Sequence, residues 1–179
     1  MVSAAGGEDV EPDISNSPIV AINHTVEAAD NSDWSINIEL DSNAASNNTT
    51  IRILSQMCTN DGVCDAPQWV DVEVSENRTN WSSSWKTIDD HSYVNWKVAL
   101  DYDDGESEEF PSSGYAKAWS SCWYDIDIDK WGGKDCPDGP IDGDGNTEPD
   151  SSDSELPFLG FVSISVMLGV AALIRSRSQ

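Results

Sequence analysis

Histidine is one residue type of this chain that could support catalysis, and it is scarce. The 179-residue sequence contains two histidines, His24 and His91. A serine or cysteine hydrolase would place one of them beside a nucleophile and an orienting acid, but no G-x-S-x-G nucleophile motif occurs. Because lone histidines on strands are usually structural, we expect no catalytic residues and no enzymatic activity.

The four cysteines fall into two close pairs. Four cysteines allow three pairings, and the spacing favours Cys58 with Cys64 and Cys122 with Cys136. Residues 60–62, Asn-Asp-Gly, form turns and lie inside the first pair. The alternative is a metal site, but the C-x-x-C or Cys/His spacing typical of zinc does not occur. Disulfides predict an oxidising location outside the cytoplasm.

Acidic residues indicate one weak calcium site. Asp101, Asp103 and Asp104 lie close together in the sequence, and oxygen-rich surface loops bind Ca²⁺ with low affinity. The alternative is a plain hairpin turn, because Asp-Gly is a common turn sequence. Other acidic stretches lack the glycine and glutamate that an EF-hand requires. Beyond this weak calcium site we predict no cofactor.

Aromatic residues supply the candidate ligand-binding set. The chain has eight tryptophans, and two pairs of them are four residues apart, so each pair shares one face of a strand. Exposed aromatic rows stack on sugar rings or form protein contacts. The alternative is packing over a sheet or under the cystine loops, because aromatic residues are favoured in strands. The candidate set is Trp81, Trp85, Tyr115, Trp119 and Trp123.

Charge excludes one class of partner. The chain carries 33 acidic and 9 basic residues, for a formal net charge of -24. Such a field repels nucleic acid, so DNA or RNA binding is not expected. The acidity is typical of solubility in high salt, where screening reduces self-repulsion; a specific cationic partner is the alternative.

Glycosylation motifs agree with an extracellular location. Five asparagines begin N-x-S/T triplets, which are acceptor sites for N-linked glycans on surface loops. The candidate sites are Asn23, Asn47, Asn48, Asn77 and Asn80.

A hydrophobic segment near the C-terminus predicts a membrane anchor. Residues 156–174 contain no charge, and as a helix they would be about 28 Å long, close to the hydrocarbon thickness of a bilayer. Arg175 and Arg177 follow, and basic residues are retained on the cytoplasmic side. We therefore expect a single-pass protein of the cell membrane, with the N-terminal domain outside and the C-terminus inside.

The start of this segment is similar to the sorting signals of prokaryotic surface proteins. Leu156, Pro157 and Gly160 resemble the sortase L-P-x-T-G motif, with Leu159 in place of the threonine. The tail also resembles, more loosely, the Pro-Gly-Phe tails that archaeosortases process. Both a permanent anchor and a processed one stay open, and the missing threonine favours a permanent anchor.

Period-two alternation predicts an all-β domain between the termini. Trp34 to Leu40 and Val94 to Leu100 alternate apolar and polar residues, which places Trp34 and Trp96 in the core. Weaker patterns predict strands at 20–26, 51–57, 70–74, 81–88 and 115–124. About seven short strands with turn residues between them are typical of a β-sandwich.

A family resemblance supports this fold. Residues 93–105, which begin with Tyr93 and end in Asp103-Asp104-Gly105, resemble the penultimate strand and turn of immunoglobulin-like, fibronectin type III-like and PKD-like domains. The whole arrangement resembles surface proteins of marine or halophilic archaea. This resemblance implies a binding or spacer module without catalytic residues.

The predicted organisation is a single immunoglobulin-like β-sandwich with flanking segments. A flexible acidic leader covers 1–16, the sandwich 17–136, an acidic Asp/Gly/Pro/Ser stalk 137–155, a transmembrane helix 156–174 and a basic cytoplasmic tail 175–179. The predicted function is non-catalytic display, adhesion or spacing at the cell surface, with glycans or other envelope proteins as partners. The alternatives are a carbohydrate-binding module that uses the paired tryptophans, and an accessory subunit of an extracellular enzyme.

Overall fold

The computed structural model describes residues 7–136. The predicted stalk, transmembrane helix, sorting-like motif and basic tail lie outside the described residues. Within 7–136, no helix is both long enough and apolar enough to span a bilayer.

The described residues form an all-β fold with one short helix. The helix α1 (Ser42–Ser46) begins after Asp41, whose side chain accepts a hydrogen bond from the Ala44 amide at 2.7 Å. The strands are β1 (Ile19–His24), β2 (Asp33–Leu40), β3 (Thr50–Thr59), β4 (Gln68–Val70), β5 (Glu73–Val74), β6 (Asn80–Lys86), β7 (His91–Asp101), β8 (Ser107–Phe110), β9 (Ala116–Trp119), β10 (Trp123–Asp125) and β11 (Lys130–Gly132).

The strands pair into antiparallel sheets. A four-stranded sheet has the order β1-β2-β6-β5, and a five-stranded sheet has the order β4-β3-β7-β8. The long strand β7 also pairs with β9, through its N-terminal half, while β8 pairs with its C-terminal half. Strands β10 and β11 form a separate hairpin.

The core lies between the two larger sheets, as the alternating pattern predicts. Trp34 on β2 and Trp96 on β7 are fully buried, and their ring centroids are 6.3 Å apart. The polar residues that alternate with them face outward, because side chains along a strand point to opposite faces. This arrangement is compatible with a β-sandwich. The remaining buried strand residues of the core are Ile19, Ile36, Ile38, Leu40, Ile51, Ile53, Trp81, Val94, Val98, Leu100, Phe110, Ala116 and Ala118.

Both cysteine pairings predicted from spacing are confirmed. Cys58 and Cys64 form a disulfide with a Cα–Cα distance of 4.0 Å, at the end of β3. Cys122 and Cys136 form the other, with a Cα–Cα distance of 4.6 Å, and enclose the β10–β11 hairpin. The described cysteines are therefore all oxidised.

Two predicted strands are each divided in the structure. The segment 70–74 gives β4 and β5, because Val70 pairs with Ile53 in one sheet whereas Val74 pairs with Trp81 in the other. The segment 115–124 gives β9 and β10, which belong to the five-stranded sheet and to the separate hairpin. Strands β8 and β11 and the helix α1 are additional to the sequence prediction. Alternation shows which residues share one face of a strand, but it does not show which sheet the strand joins.

The domain begins before residue 17, where the sandwich was predicted to start after a flexible leader of residues 1–16. Val10 pairs with Lys117 through two backbone hydrogen bonds of 2.9 Å. The Asp9 carboxylate accepts the Trp119 amide at 2.8 Å, and Ile14 packs against the core. Residues 7–16 therefore pack along the edge strand β9 and against the core. The acidic composition of this segment did not indicate that it would be part of the fold.

Candidate binding face

The tryptophans proposed as paired ligand-binding residues lie mostly inside the domain. Trp81 is 7% exposed and Trp119 is 6% exposed. The Trp85 ring packs 4.7 Å from that of Trp34, and the Trp123 ring lies 5.0 Å from that of Trp119. Buried rings offer no face to a sugar, so Trp81 and Trp119 are corrected to packing residues.

The tryptophan spacing is explained by the strand register. Trp81 and Trp85 share one face of β6, but that face is the inner one, opposite Ile38 and Trp34 of β2. Trp119 points to the outer side of its sheet, but the N-terminal segment covers it there. The Trp119 Nε1 donates a hydrogen bond to the Glu8 carbonyl of that segment at 2.9 Å. Sequence spacing identifies a shared face without saying whether that face meets solvent.

An aromatic surface does exist, on the outer face of the five-stranded sheet. Three of its aromatic residues are Trp69 on β4, Tyr93 on β7 and Tyr115 just before β9. Trp69 is 47% exposed, and the two tyrosines are half-buried. The predicted residue Tyr115 thus joins a different set from the one proposed, because strand pairing places it beside residues that are distant in the sequence.

Each of these aromatic rings is accompanied by a basic side chain. The Arg52 guanidinium lies 4.2 Å from the Trp69 ring centroid, and the Lys117 ammonium lies 3.8 Å from that of Tyr93. A third cation, the Lys97 ammonium, lies 5.8 Å from the Tyr115 ring centroid. Cations within about 6 Å of a ring are attracted by its quadrupole. We call these six residues, Arg52, Trp69, Tyr93, Lys97, Tyr115 and Lys117, the cation–aromatic face.

This concentration of positive charge is unusual in so acidic a chain. Of the nine lysines and arginines, Arg175 and Arg177 lie outside residues 7–136, which leaves seven in the described part. Three of those seven belong to the cation–aromatic face. The face therefore carries close to half of the basic residues in the described part of the chain.

Two of the three cations are held by carboxylates. Arg52 donates from Nε and from one terminal nitrogen to both oxygens of Asp101, at 2.5 and 2.9 Å. Lys97 forms an ion pair with Glu109. The Arg52 guanidinium holds the pKa of the Asp101 carboxyl below its ordinary value. These pairs fix the positions of the cations while leaving the other donors of Arg52 free of Asp101.

The third cation, Lys117, borders a cavity of about 180 Å³. The cavity is also lined by Tyr93, Trp119, Asp125 and Asp127. Burial lowers the pKa of the Lys117 ammonium, although the two carboxylates act in the opposite direction. Lys117 makes no ion pair with a carboxylate among the described residues.

The predicted calcium residues do not converge. Asp101 is engaged by Arg52, while Asp103 and Asp104 are exposed in the tight turn between β7 and β8. This turn is closed by backbone hydrogen bonds between Tyr102 and the residues Gly105 and Glu106. In the described part of the chain, one group of three metal-ligating side chains converges, and it lies elsewhere. The hairpin-turn alternative therefore describes this segment.

All five glycosylation candidates are accessible. Their asparagines are exposed, and they lie on the four-stranded sheet, on the β5–β6 turn or at the end of α1. The Asn48 side chain accepts a hydrogen bond from Arg78 at 3.1 Å. None of the five lies on the cation–aromatic face. Glycans at Asn23, Asn47, Asn48, Asn77 and Asn80 would leave that face open.

The two histidines are held by acids and backbone. The His91 ring is fully buried, and its Nδ1 lies 2.6 Å from Oδ1 of Asp30. The His24 ring contacts Glu11 and the Thr25 carbonyl. Within residues 7–136, neither ring is hydrogen-bonded to a serine or threonine hydroxyl or to a cysteine, so no nucleophile is paired with a histidine there.

Five residues of the cation–aromatic face were not candidate site residues in the sequence analysis, namely Arg52, Trp69, Tyr93, Lys97 and Lys117. Arg52 and Lys97 occupy outward positions of alternating strands, and the scarcity of basic residues could have drawn attention to them. Their partnership with particular rings depends on cross-strand register and could not be read from the sequence.

No protein-family model and no curated protein sequence matches this chain.

Proposed function

We propose that this protein is a non-catalytic module of the cell surface that binds glycans through the cation–aromatic face. The module would be held at the membrane by residues 156–174 and raised from it by the acidic stalk 137–155. Binding to glycans on a neighbouring cell or matrix would make it an adhesion protein.

The strand order supports an immunoglobulin-like interpretation of the fold. The sheet order β1-β2-β6-β5 corresponds to A-B-E-D of immunoglobulin-like domains, and β4-β3-β7 with β8 and β9 corresponds to C′-C-F-G. In that correspondence, the cation–aromatic face is the outer face of the C′CFG sheet. Such domains commonly serve as binding or spacing units, and function depends on the surface each one presents.

The observation that carries the glycan proposal is the exposed Trp69 ring beside Arg52. Trp69 is 47% exposed even though Arg52 lies over its ring, and an exposed aromatic face is suited to stacking on a sugar ring. Arg52 has five N–H donors, of which two hydrogen-bond to Asp101, so further donors can meet sugar hydroxyls or carboxylates.

The extent of the face fits an extended ligand. The face crosses four strands, in the order β4, β3, β7 and β9. Neighbouring strands are about 4.8 Å apart, so the face is about 14 Å wide between its outer strands. An oligosaccharide lying across the strands would contact Trp69 at one end and Tyr115 at the other.

A glycan array tests this proposal. The full-length chain in non-ionic detergent should bind a defined subset of immobilised glycans, and Trp69→Ala should reduce that binding at least tenfold. The matched control is Trp131→Ala, because Trp131 is also exposed (36%) but lies on the β10–β11 hairpin. Equal binding by both variants, or no glycan bound by the wild type, would refute the proposal and favour display or spacing alone.

A further inference from the structure

Three potential metal ligands converge where the N-terminal segment meets β1 and β9, and none of them belongs to the cation–aromatic face. Asp9 and Glu11 lie in the segment that precedes β1, and His24 is the last residue of β1. One ligand atom from each of the three lies within 4.8 Å of the others. Among the described residues, this is the one place where three potential metal-ligating side chains converge.

The tautomer of His24 is fixed by its backbone contact. Its Nδ1 lies 3.0 Å from the Thr25 carbonyl oxygen, and because a carbonyl only accepts hydrogen bonds, Nδ1 carries the proton. In the neutral ring, Nε2 then presents a lone pair. That lone pair faces Oε1 of Glu11 at 2.6 Å, and an ionised carboxylate also offers only lone pairs. At this distance the two atoms share a proton in a hydrogen bond, and a metal ion could take the place of that proton only with the carboxylate farther from the ring.

The surroundings hold the ligands as metal sites commonly do. The His24 ring stacks on Trp34 at 5.5 Å, and its side chain is 6% exposed. The Asp9 carboxylate accepts the Trp119 amide, so one oxygen is oriented by the backbone and the other is available. Metal-binding histidines usually donate their second ring N–H to a carbonyl or carboxylate, and metal-binding carboxylates are themselves hydrogen-bonded. The Glu11 side chain is 54% exposed, which leaves an open side for water.

We infer that Asp9, Glu11 and His24 bind a divalent cation of the zinc type. Imidazole nitrogen and carboxylate oxygen are both ligand types of zinc, and water would complete the coordination, whereas Ca²⁺ prefers six to eight oxygens. Bonds of about 2.0–2.2 Å place tetrahedral ligands about 3.3 Å apart. Movement of the exposed Glu11 side chain away from His24 would widen their present 2.6 Å separation to that distance. The ion would join the N-terminal segment to β1 and, through Asp9, to β9.

Zinc titration of the full-length chain tests the inference. In non-ionic detergent, with free Zn²⁺ followed by a chromophoric chelator, we expect one equivalent to bind tightly. Glu11→Gln should weaken that binding at least tenfold, while Glu8→Gln should equal the wild type. Glu8 is the matched control because it lies in the same segment but outside the group of three. Equal affinities of the two variants, or no tight equivalent, would overturn the inference.

Two further measurements separate a metal ion from a proton. Nitrogen NMR of the histidine rings at saturating Zn²⁺ should show His24 protonated on Nδ1 alone; a ring protonated on both nitrogens would mean that a proton, and no metal, lies between His24 and Glu11. An equal concentration of Ca²⁺ should leave bound Zn²⁺ in place, and its displacement would overturn the choice of metal. Asp9→Asn provides a second ligand variant, with the same tenfold loss expected.

Discussion

The guanidinium of Arg52 lies 4.2 Å from the ring centroid of Trp69, and the two residues belong to adjacent strands of one sheet. Arg52 also binds both carboxylate oxygens of Asp101 across the sheet. Lysine cannot form the same paired hydrogen bonds or stack as a plane. The contribution of the planar guanidinium can therefore be separated from that of its charge by replacing Arg52 with lysine.

The first prediction concerns the coupling between Arg52 and Trp69. Arg52→Lys should lower the free energy of unfolding by about 0.5–1 kcal/mol, since exposed ion pairs and exposed cation–π contacts each contribute amounts of this size. In a double-mutant cycle with Trp69→Ala, urea denaturation should give a coupling energy of about 0.5 kcal/mol. A coupling energy of zero would mean that the two side chains are neighbours without interacting.

The second prediction is that the ion pair between Arg52 and Asp101 makes the stability of the protein depend on pH in the acidic range. The pKa of Asp101 is lowered by Arg52, so in the folded state this carboxylate keeps its charge at a lower pH than in the unfolded chain. The stability it contributes is complete above its ordinary pKa of 3.8 and is lost as the pH falls through the lowered value. Asp101→Asn should therefore flatten the decline in melting temperature below about pH 4.

Asp103→Asn is the control for this acid effect. Asp103 is exposed in the adjacent turn and makes no ion pair among the described residues. Thermal melts between about pH 2 and pH 6 should follow the wild type for this variant. If both variants follow the wild type, the Arg52–Asp101 pair adds nothing to stability in acid.

The third prediction tests the core between the sheets. Ile53 on β3 is fully buried, whereas Ile126 is 64% exposed. Ile53→Ala should cost about 2–5 kcal/mol of unfolding free energy, because it removes packed apolar atoms and leaves a cavity. Ile126→Ala makes the same chemical change at the surface and should change stability by less than about 0.5 kcal/mol. Similar costs for the two variants, measured by urea denaturation, would contradict the placement of the core.

The fourth prediction concerns residues 156–174, the proposed membrane segment, which lie outside the described residues. A chain ending at Ser154 should be soluble without detergent and should keep its β signal by circular dichroism. In the full-length chain, replacing Val166 and Leu168 with lysine should release the protein from membranes, since each charge near the bilayer centre costs about 2.5–3.5 kcal/mol. Loss of the β signal on truncation would instead make the segment part of the fold.

Local chemistry in the sequence determined the parts of the fold that depend on neighbours along the chain. The alternation in β2 and β7 gave the correct inner faces, since the period of a strand is two residues regardless of what the strand pairs with. The pairing of Cys58 with Cys64 and of Cys122 with Cys136 followed from short loops that bring the thiols together. The buried positions of Trp34 and Trp96 followed from the same alternation.

Tertiary structure decided the features that depend on which strands meet. The segment 70–74 divides between two sheets, and residues 7–16 pack on β9. Strand pairing brings together segments that are distant in the sequence, and no local sequence pattern indicates which segments pair. The same reason applies to the contact of Arg52 with Trp69 and to the convergence of Asp9 with His24. The opposing sheet likewise decides whether the shared face of Trp81 and Trp85 meets solvent or core. That sheet exists only in the folded chain.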